Sequence, residues 1–316
     1  MIINAPYIII LCLIASATSI YLTNLIFRKK NLIDKINERS SHTKIATRSG
    51  GISVFIIVFS IACIYYFQGI DLFKYSLLVP LSLLLIVGLY DDIYQLDIKL
   101  KFIFQIIAAK IFIDNGLLID NLHGVFGIFE LNRITAQALT IFIIVAIVNS
   151  INFIDGIDGL ALSIVTLFIL MFEFFSATTS PLTNLSYIIT ASLLPLFYFN
   201  FKKESKVFLG DSGSLFIGGI VSIYVVFILS QDYIIKEQYD VHKLIFVISI
   251  LFYPIIDIIR IVFKRIIERK SPFVADKNHI HHLIFSETKS HISTTLIIVF
   301  INLLVIFLIQ TVNLLI

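Results

Sequence analysis

Five aspartates sit where apolar runs end. Asp91 and Asp92 follow Leu89-Tyr90. Asp155 and Asp158 lie in Asn149-Ser-Ile-Asn152-Phe-Ile-Asp155-Gly-Ile-Asp158-Gly-Leu160, and Asp211 lies in Phe208-Leu-Gly-Asp-Ser-Gly-Ser214. Carboxylate oxygens suit hard divalent cations, Mg²⁺ or Mn²⁺. An aspartate within a lipid-spanning helix costs about 2.5–3.5 kcal/mol at mid-bilayer and less near the interface. Five gathered at one depth need a cation to offset their repulsion. The plain alternative at each position is a helix cap or a solvated loop, and for Asp211 in particular an N-cap. That alternative is weakest for Asp155 and Asp158. They are three residues apart and share a face if the segment is helical, and Asn149 and Asn152 add amides nearby. Two Asn and two Asp in an otherwise apolar stretch are costly unless they bind something.

A second group of residues is basic. The segment His279-Ile-His281-His282 places three imidazoles within four residues, behind a rim of Lys264, Arg265, Arg269, Lys270 and Lys277. Zinc is the sharp alternative, but the concentrated ligands elsewhere are carboxylates and no Cys-x-x-Cys occurs, so anion binding is favoured. Arg39-Ser-Ser-His42-Thr-Lys44 and Arg48-Ser-Gly-Gly form a third basic stretch, read either as a topology signal or as phosphate contacts. Gly210 to Ser214 offers small residues and hydroxyls before a helix, a setting that favours phosphate. Carboxylates for a metal, ringed by His, Lys and Arg, fit a substrate with two or more phosphates.

The elements that must position these groups are membrane helices. The chain is 58% hydrophobic and 14% charged, with a mean hydropathy of +0.98. Soluble domains are nearer half apolar and about a quarter charged, so a soluble enzyme is excluded. Apolar runs predict an all-α polytopic bundle of about ten transmembrane helices. They cover 3–27, 51–67, 77–90, 102–113, 134–151, 160–175, 185–199, 215–229, 244–262 and 294–316. Little chain is left for anything else, so residues 1–316 are read as one integral-membrane domain. Of the 24 Lys and Arg, 19 fall in four alternating segments: 28–48, 99–101, 202–206 and 260–289. The positive-inside rule makes these cytoplasmic, with both termini outward and all five aspartates on the cytoplasmic face. The net charge of +3 does not suggest nucleic acid. Cys12 and Cys63 lie in apolar runs and read as packing residues.

Taken in order, these motifs resemble the polyprenyl-phosphate N-acetylhexosamine-1-phosphate transferases, most closely the branch that initiates O-antigen or common-antigen chains. The matching elements are Arg39 to His42 with Gly50-Gly51, Asp91-Asp92 with Leu96, Asn149 to Leu160, Phe208 to Ser214, and His279 to His282. One departure is Ala46-Thr47 before Arg48, where relatives often carry Thr-Pro.

The resemblance implies a Mg²⁺-dependent enzyme (Mn²⁺ as a substitute) of the bacterial inner membrane, with a cytoplasmic active site. It would transfer sugar-1-phosphate, most simply N-acetylglucosamine-1-phosphate, from a UDP-sugar to undecaprenyl phosphate and release UMP. It implies catalytic roles for Asp91, Asp92, Asp155 and Asp158 and metal ligation by Asp211 with Asp92. Substrate contacts would come from His42, Lys44, Arg48, Asn149, Asn152, Arg265, His279, His281 and His282. Partners would be the UDP-N-acetylhexosamine, undecaprenyl phosphate and membrane lipid, with a homodimer compatible. Direct displacement with Asp91 or Asp92 as base and double displacement through Asp155 or Asp158 both stay open. The rival from another class is a transporter or flippase of a polyprenyl-phosphate-linked substrate.

Overall fold

A computed structural model describes residues 5–34, 46–177, 179–202, 204–230, 235–236, 242–269 and 278–315. Among them are twelve α-helices: α1 (Ala5–Lys29), α2 (Gly50–Phe67), α3 (Leu78–Tyr94), α4 (Ile98–Asp114), α5 (Arg133–Ile154), α6 (Leu160–Phe175), α7 (Thr183–Phe201), α8 (Gly210–Ser230), α9 (Lys243–Ile250), α10 (Phe252–Ile267), α11 (Ile280–Thr288) and α12 (His291–Leu315). The two short strands β1 (Ala46–Thr47) and β2 (Lys206–Val207) pair in parallel. The chain is an all-α, polytopic membrane protein. Within the described residues all ten apolar runs are helical, the ninth being shared by α9 and α10, while α11 was not anticipated.

Among the described residues, fewer than ten helices are long and apolar enough to cross a membrane unaided. By length and hydropathy α1, α2, α3, α5, α8 and α12 qualify, and the α9–α10 pair makes a seventh if it counts as one span. Helices α4 and α6 have 17 and 16 residues. Helix α7 carries Thr183, Asn184, Ser186 and Ser192 together with Pro195.

The ninth run is broken rather than straight, with α9 and α10 bent by 82°. The cause is in the sequence Leu251-Phe-Tyr-Pro254. Proline has no N–H to give to the carbonyl four residues back, and its ring crowds that carbonyl. In lipid the orphaned groups need another partner. Asn302 on α12 supplies it: its Nδ2 donates to the Ile250 carbonyl at 2.9 Å and its Oδ1 accepts from the Tyr253 N–H at 2.9 Å. Asn302 is fully buried. The break redirects α10, which then carries Tyr253, Asp257, Arg260, Lys264 and Arg265.

Helix α8 is the centre of the bundle. Nearly all its residues are buried, as expected of a helix that is apolar on every side. It packs on α3, α5 and α2, and glycines set the separations. An ideal Cβ at Gly218 would lie 2.9 Å from Val148 Cα, and one at Gly51 would lie 2.2 Å from Gly213 Cα.

The helix ends bearing the expected site residues meet on one side. The N–H groups of Gly50 and Gly51, opening α2, donate to the carbonyls of Phe208 and Leu209 just before α8. The end of α1 joins them through Asn24, which bonds Thr47 and the Ser205 carbonyl. His291, opening α12, contacts Asp158 between α5 and α6. The start of α1 and the end of α12 therefore point toward the other face. A reporter fused after Lys202 is expected to read as cytoplasmic, and one in the loop around Asn121 as periplasmic. The reverse at either position would break the shared cytoplasmic face.

Candidate active site

A tight point of the site is where α3 meets the start of α8. A Cβ at Gly88 would lie 2.3 Å from the Asp211 carbonyl oxygen, so only glycine lets α3 approach this closely. That approach brings Asp92 under the first turn of α8. Its Oδ1 accepts from the Asp211 N–H at 3.0 Å and its Oδ2 from the Ser212 N–H at 2.9 Å. Gly210 has φ +75°, and a Cβ there would meet Asp92 Oδ2 at 2.7 Å. Two of the orphan donors at the N-terminus of α8 are thus satisfied by a carboxylate from another helix. The capping role that the sequence allows for Asp211 falls to Asp92.

The Asp211 carboxylate is turned instead toward Lys101. Lys101 Nζ bridges Asp211 Oδ2 and Asp91 Oδ2, the latter at 2.7 Å. Asp91 also accepts from the Leu96 N–H at 2.7 Å, which fixes the turn between α3 and α4. Sequence reasoning missed Lys101, counting it only as a topology signal. A usable signal was present. Lys101 lies on the stripe of Gln105, Ala108 and Phe112, spaced four, seven and eleven residues on, and this is the buried side of α4. Asp97 caps α4 by accepting from the Lys99 N–H at 2.8 Å.

Arg48 closes the cluster from the α2 side. It contacts Asp92 at 3.3 Å and Asp34 at 2.9 Å. Burial opposes its charge, but Asp34, Asp92 and Asp211 outweigh burial and raise its pKa. His42 and Lys44 lie outside the described residues.

Asp155 and Asp158 occupy the turn between α5 and α6 and have different surroundings. Asp158 is engaged: Lys206 Nζ lies 2.5 Å and His291 Nδ1 3.4 Å from its Oδ2, and its carbonyl accepts from Thr295 at 2.9 Å. It ties β2 and α12 to this turn. Asp155 is half-buried and accepts no hydrogen bond from the described residues. Burial first, then Asp211 and Asp92, push its pKa well above the usual carboxylate range. The two amides also differ. Asn149 is buried and exchanges hydrogen bonds with Gln105 of α4, at 2.6 and 3.3 Å, an internal α4–α5 clamp. Asn152 is half-buried and donates to Ser214 Oγ at 2.7 Å, joining α5 to α8 beside Asp211.

The imidazoles are held by α10. Asp257 Oδ2 accepts from His279 Nδ1 at 2.6 Å, and its Oδ1 accepts from the Ile280 N–H at 2.7 Å, so one buried carboxylate orients the ring and caps α11. Arg260 and Lys264 donate to Asn278 at 2.6 and 2.8 Å, fixing the entry to the motif. Tyr253 Oη lies 2.9 Å from His281 Nδ1. The other nitrogen, His281 Nε2, faces the aspartate turn, 3.2 Å from where a Cβ of Gly156 would sit. His282 is half-buried beside it, with ring centroids 4.3 Å apart. Arg265 is buried on α10. Asp257 and Tyr253 had no motif to mark them; their i, i+4 spacing on an amphipathic helix was the available clue.

The sequence matches the model of glycosyl transferase family 4 over residues 74–229. It is 31% identical to a probable undecaprenyl-phosphate N-acetylglucosaminyl 1-phosphate transferase of Bacillus subtilis, over 93% of this chain and 82% of that one. It is 32% identical to the undecaprenyl-phosphate alpha-N-acetylglucosaminyl 1-phosphate transferase of Pasteurella multocida, over 87% and 78%. The chain belongs to glycosyl transferase family 4. A further relative, the Escherichia coli K12 undecaprenyl-phosphate alpha-N-acetylglucosaminyl 1-phosphate transferase, is 29% identical over 81% of this chain and 70% of its own.

As a family 4 member the chain is a phosphoglycosyltransferase, a membrane enzyme of the polyprenyl-phosphate sugar-1-phosphate transferase type, rather than a transporter. The region matched by the family 4 model holds Asp91, Asp92, Lys101, Asp155, Asp158 and Asp211. The B. subtilis alignment leaves out too little of the chain to exclude Arg48 or the His279 to His282 motif.

Proposed function

We propose that this enzyme transfers N-acetylglucosamine-1-phosphate from UDP-N-acetylglucosamine to undecaprenyl phosphate at the cytoplasmic face of the bacterial inner membrane, releasing UMP. The observation that carries this reading is the convergence of Asp91, Asp92, Asp155 and Asp211 with Lys101 and Arg48 at helix ends on one face. The printed activities of the relatives supply the donor and the acceptor.

The donor set fits Mg²⁺ or Mn²⁺. Its members are hard carboxylate oxygens, and the cation they already share, Lys101, bridges Asp91 and Asp211. Asp211, relieved of capping, would hold the metal with Asp92, whose oxygens keep lone pairs beyond their backbone bonds. When bound, Mg²⁺ would neutralise charge on the donor diphosphate and on the departing UMP.

The protein's own contribution is positioning and charge balance. An oxygen of the acceptor phosphate attacks the sugar-linked phosphorus in line. The bond from that phosphorus to the bridging oxygen breaks, and UMP leaves with that oxygen. The sugar–oxygen bond is untouched, so the product is a lipid-linked diphosphate sugar. A proton remaining on the acceptor phosphate, whose second pKa is about 6, must be taken up. Asp91 and Asp92 are engaged by Lys101, Arg48 and backbone N–H groups. Asp155, which accepts no hydrogen bond from the described residues and has a raised proton affinity, suits that task better. Asp155 is also the better placed of the two for a double displacement, in which it would attack as the carboxylate, since Asp158 is held by Lys206 and His291. His281 and His282, across Gly156 from this turn, would contact the donor phosphates.

The test is turnover of purified protein with UDP-N-acetylglucosamine and undecaprenyl phosphate, followed by lipid-linked product and UMP. Equimolar formation of both is expected, faster than with UDP-N-acetylgalactosamine or UDP-glucose. A preference for another donor would revise the sugar, and no product from any UDP-N-acetylhexosamine would overturn the reading.

One observation favours a second role for the His motif. Asp257, His279 and His281 offer ligand atoms within 4.8 Å of one another, an arrangement able to hold a metal. The 2.6 Å Asp257–His279 contact is a direct hydrogen bond, which supports the phosphate reading instead. His281→Ala and His282→Ala are expected to weaken donor use without changing the zinc content. Stoichiometric zinc in active protein, lost in these variants, would establish the metal role.

A further inference from the structure

A neutral imidazole has one N–H to donate, and the partner of its other nitrogen decides which one carries it. The two buried histidines of the motif have partners of different kinds. His279 Nδ1 faces a carboxylate, which only accepts, so its proton is on Nδ1 and its Nε2 is an acceptor when the ring is neutral. His281 Nδ1 faces a hydroxyl, that of Tyr253, which can donate. His281 is fully buried, and its Nε2 has no hydrogen-bond partner among the described residues. Buried polar atoms are nearly always satisfied, so such an exception asks for a reason. Nε2 points to Gly156, where a Cβ would come within 3.2 Å. Gly156 is exposed. A side chain there would press on the nitrogen; with glycine, Nε2 lies against the turn that carries Asp155, shielded from bulk solvent and still without a partner among the described residues.

We propose that Tyr253 is a positioning residue for the transfer reaction: its hydroxyl donates to Nδ1 of His281 and thereby holds the imidazole proton on Nε2, as a neutral hydrogen-bond donor aimed over Gly156 at a phosphate of the nucleotide-sugar. This rests on the reading above, in which the His motif contacts the donor. Burial, followed by His282, lowers the His281 pKa to about 3, so the ring stays neutral and cannot offer both N–H groups at once. The tautomer then decides whether a phosphate meets a donor or a lone pair. Tyr253 is itself buried, and its backbone is pinned by Asn302 at the α9–α10 break. The hydroxyl is thus held in place by the feature that redirects α10.

The proton position can be read without turnover. In protein labelled with ¹⁵N at histidine, His281 is expected to show a protonated Nε2 and an unprotonated Nδ1. In Tyr253→Phe, which keeps the ring and its packing, that preference should be lost and the KM for UDP-N-acetylglucosamine should rise about tenfold, the size of one hydrogen bond to a charged group, with a smaller change in kcat. In a His281→Gln background, where an amide replaces the Nε2–H and has no tautomer, Tyr253→Phe should add little. A resting His281 protonated on Nδ1 would overturn the inference even if the Phe variant does not fold. So would a wild-type KM in Tyr253→Phe alongside a raised KM in His281→Ala, and this result leaves the donor reading standing. An unchanged donor KM in His281→Ala would overturn both.

Discussion

Asp211→Asn is expected to yield a folded, membrane-inserted protein whose transfer rate is at least about a hundredfold lower and whose Mg²⁺ requirement is raised. Two roles for Asp211 differ in size. Loss of a helix cap costs about 0.5–2 kcal/mol of stability and leaves chemistry nearly intact. Loss of a charge that stabilises the transition state costs about 10²- to 10³-fold in rate. The hydrogen bonds separate the two, because the first N–H groups of α8 are capped by Asp92. Asparagine keeps the size of Asp211 and an acceptor for Lys101, so the α3–α4–α8 junction should survive while the charge is lost. The check is turnover across a Mg²⁺ titration together with a thermal melt. Near-normal turnover at ordinary Mg²⁺ would put the metal on the remaining carboxylates.

Lys101→Met should damage both stability and activity. Lys101 Nζ bridges Asp91 and Asp211, and its side chain is only 13% exposed. Removing one partner of a largely buried pair strands the other charge, at a cost of about 3 kcal/mol. Here two carboxylates are stranded, with Asp92 and Asp155 nearby. Methionine fills similar space without charge, so the loss would be electrostatic rather than a cavity. The chain has no tryptophan, so circular dichroism of the helical signal is the suitable probe of unfolding. A midpoint several degrees lower, partly restored by high Mg²⁺, is expected. Lys101→Arg should retain most of the stability. A Lys101→Met variant with the wild-type midpoint and rate would mean that the bridge contributes nothing.

The fold was legible where hydrophobicity alone decides it. Within the described residues the ten apolar runs are all helical, and the run at 160–175 coincides with α6. What the apolar pattern could not show is how a helix ends or bends inside the bundle. The run at 244–262 breaks because Pro254 frees the Ile250 carbonyl and Asn302, about fifty residues on, takes it up. Pro254 was visible as a signal; its partner was not. In the candidate site, the residues named from motifs were the ones whose type is rare in apolar surroundings: Asp, Asn and clustered His. Their assignment to jobs was less legible, because it depends on contacts between distant segments. Asp92 and Asp211 look alike in sequence, yet one caps and the other faces Lys101. Asp155 and Asp158 share a motif, yet only Asp158 is tied to Lys206 and His291. Lys101 was hidden because a lysine near a helix end also satisfies the positive-inside rule. Asp257 and Tyr253 were hidden because their partners lie more than twenty residues away.

The most direct measurement is UMP release by the purified protein in the presence of EDTA, then after excess Mg²⁺ is restored, with and without undecaprenyl phosphate. Release that needs both Mg²⁺ and the acceptor, and that matches the lipid-linked product mole for mole, is the expected result. Full-rate release and product formation with the metal chelated would contradict a site built from Asp91, Asp92, Asp155 and Asp211 to hold a divalent cation for sugar-phosphate transfer.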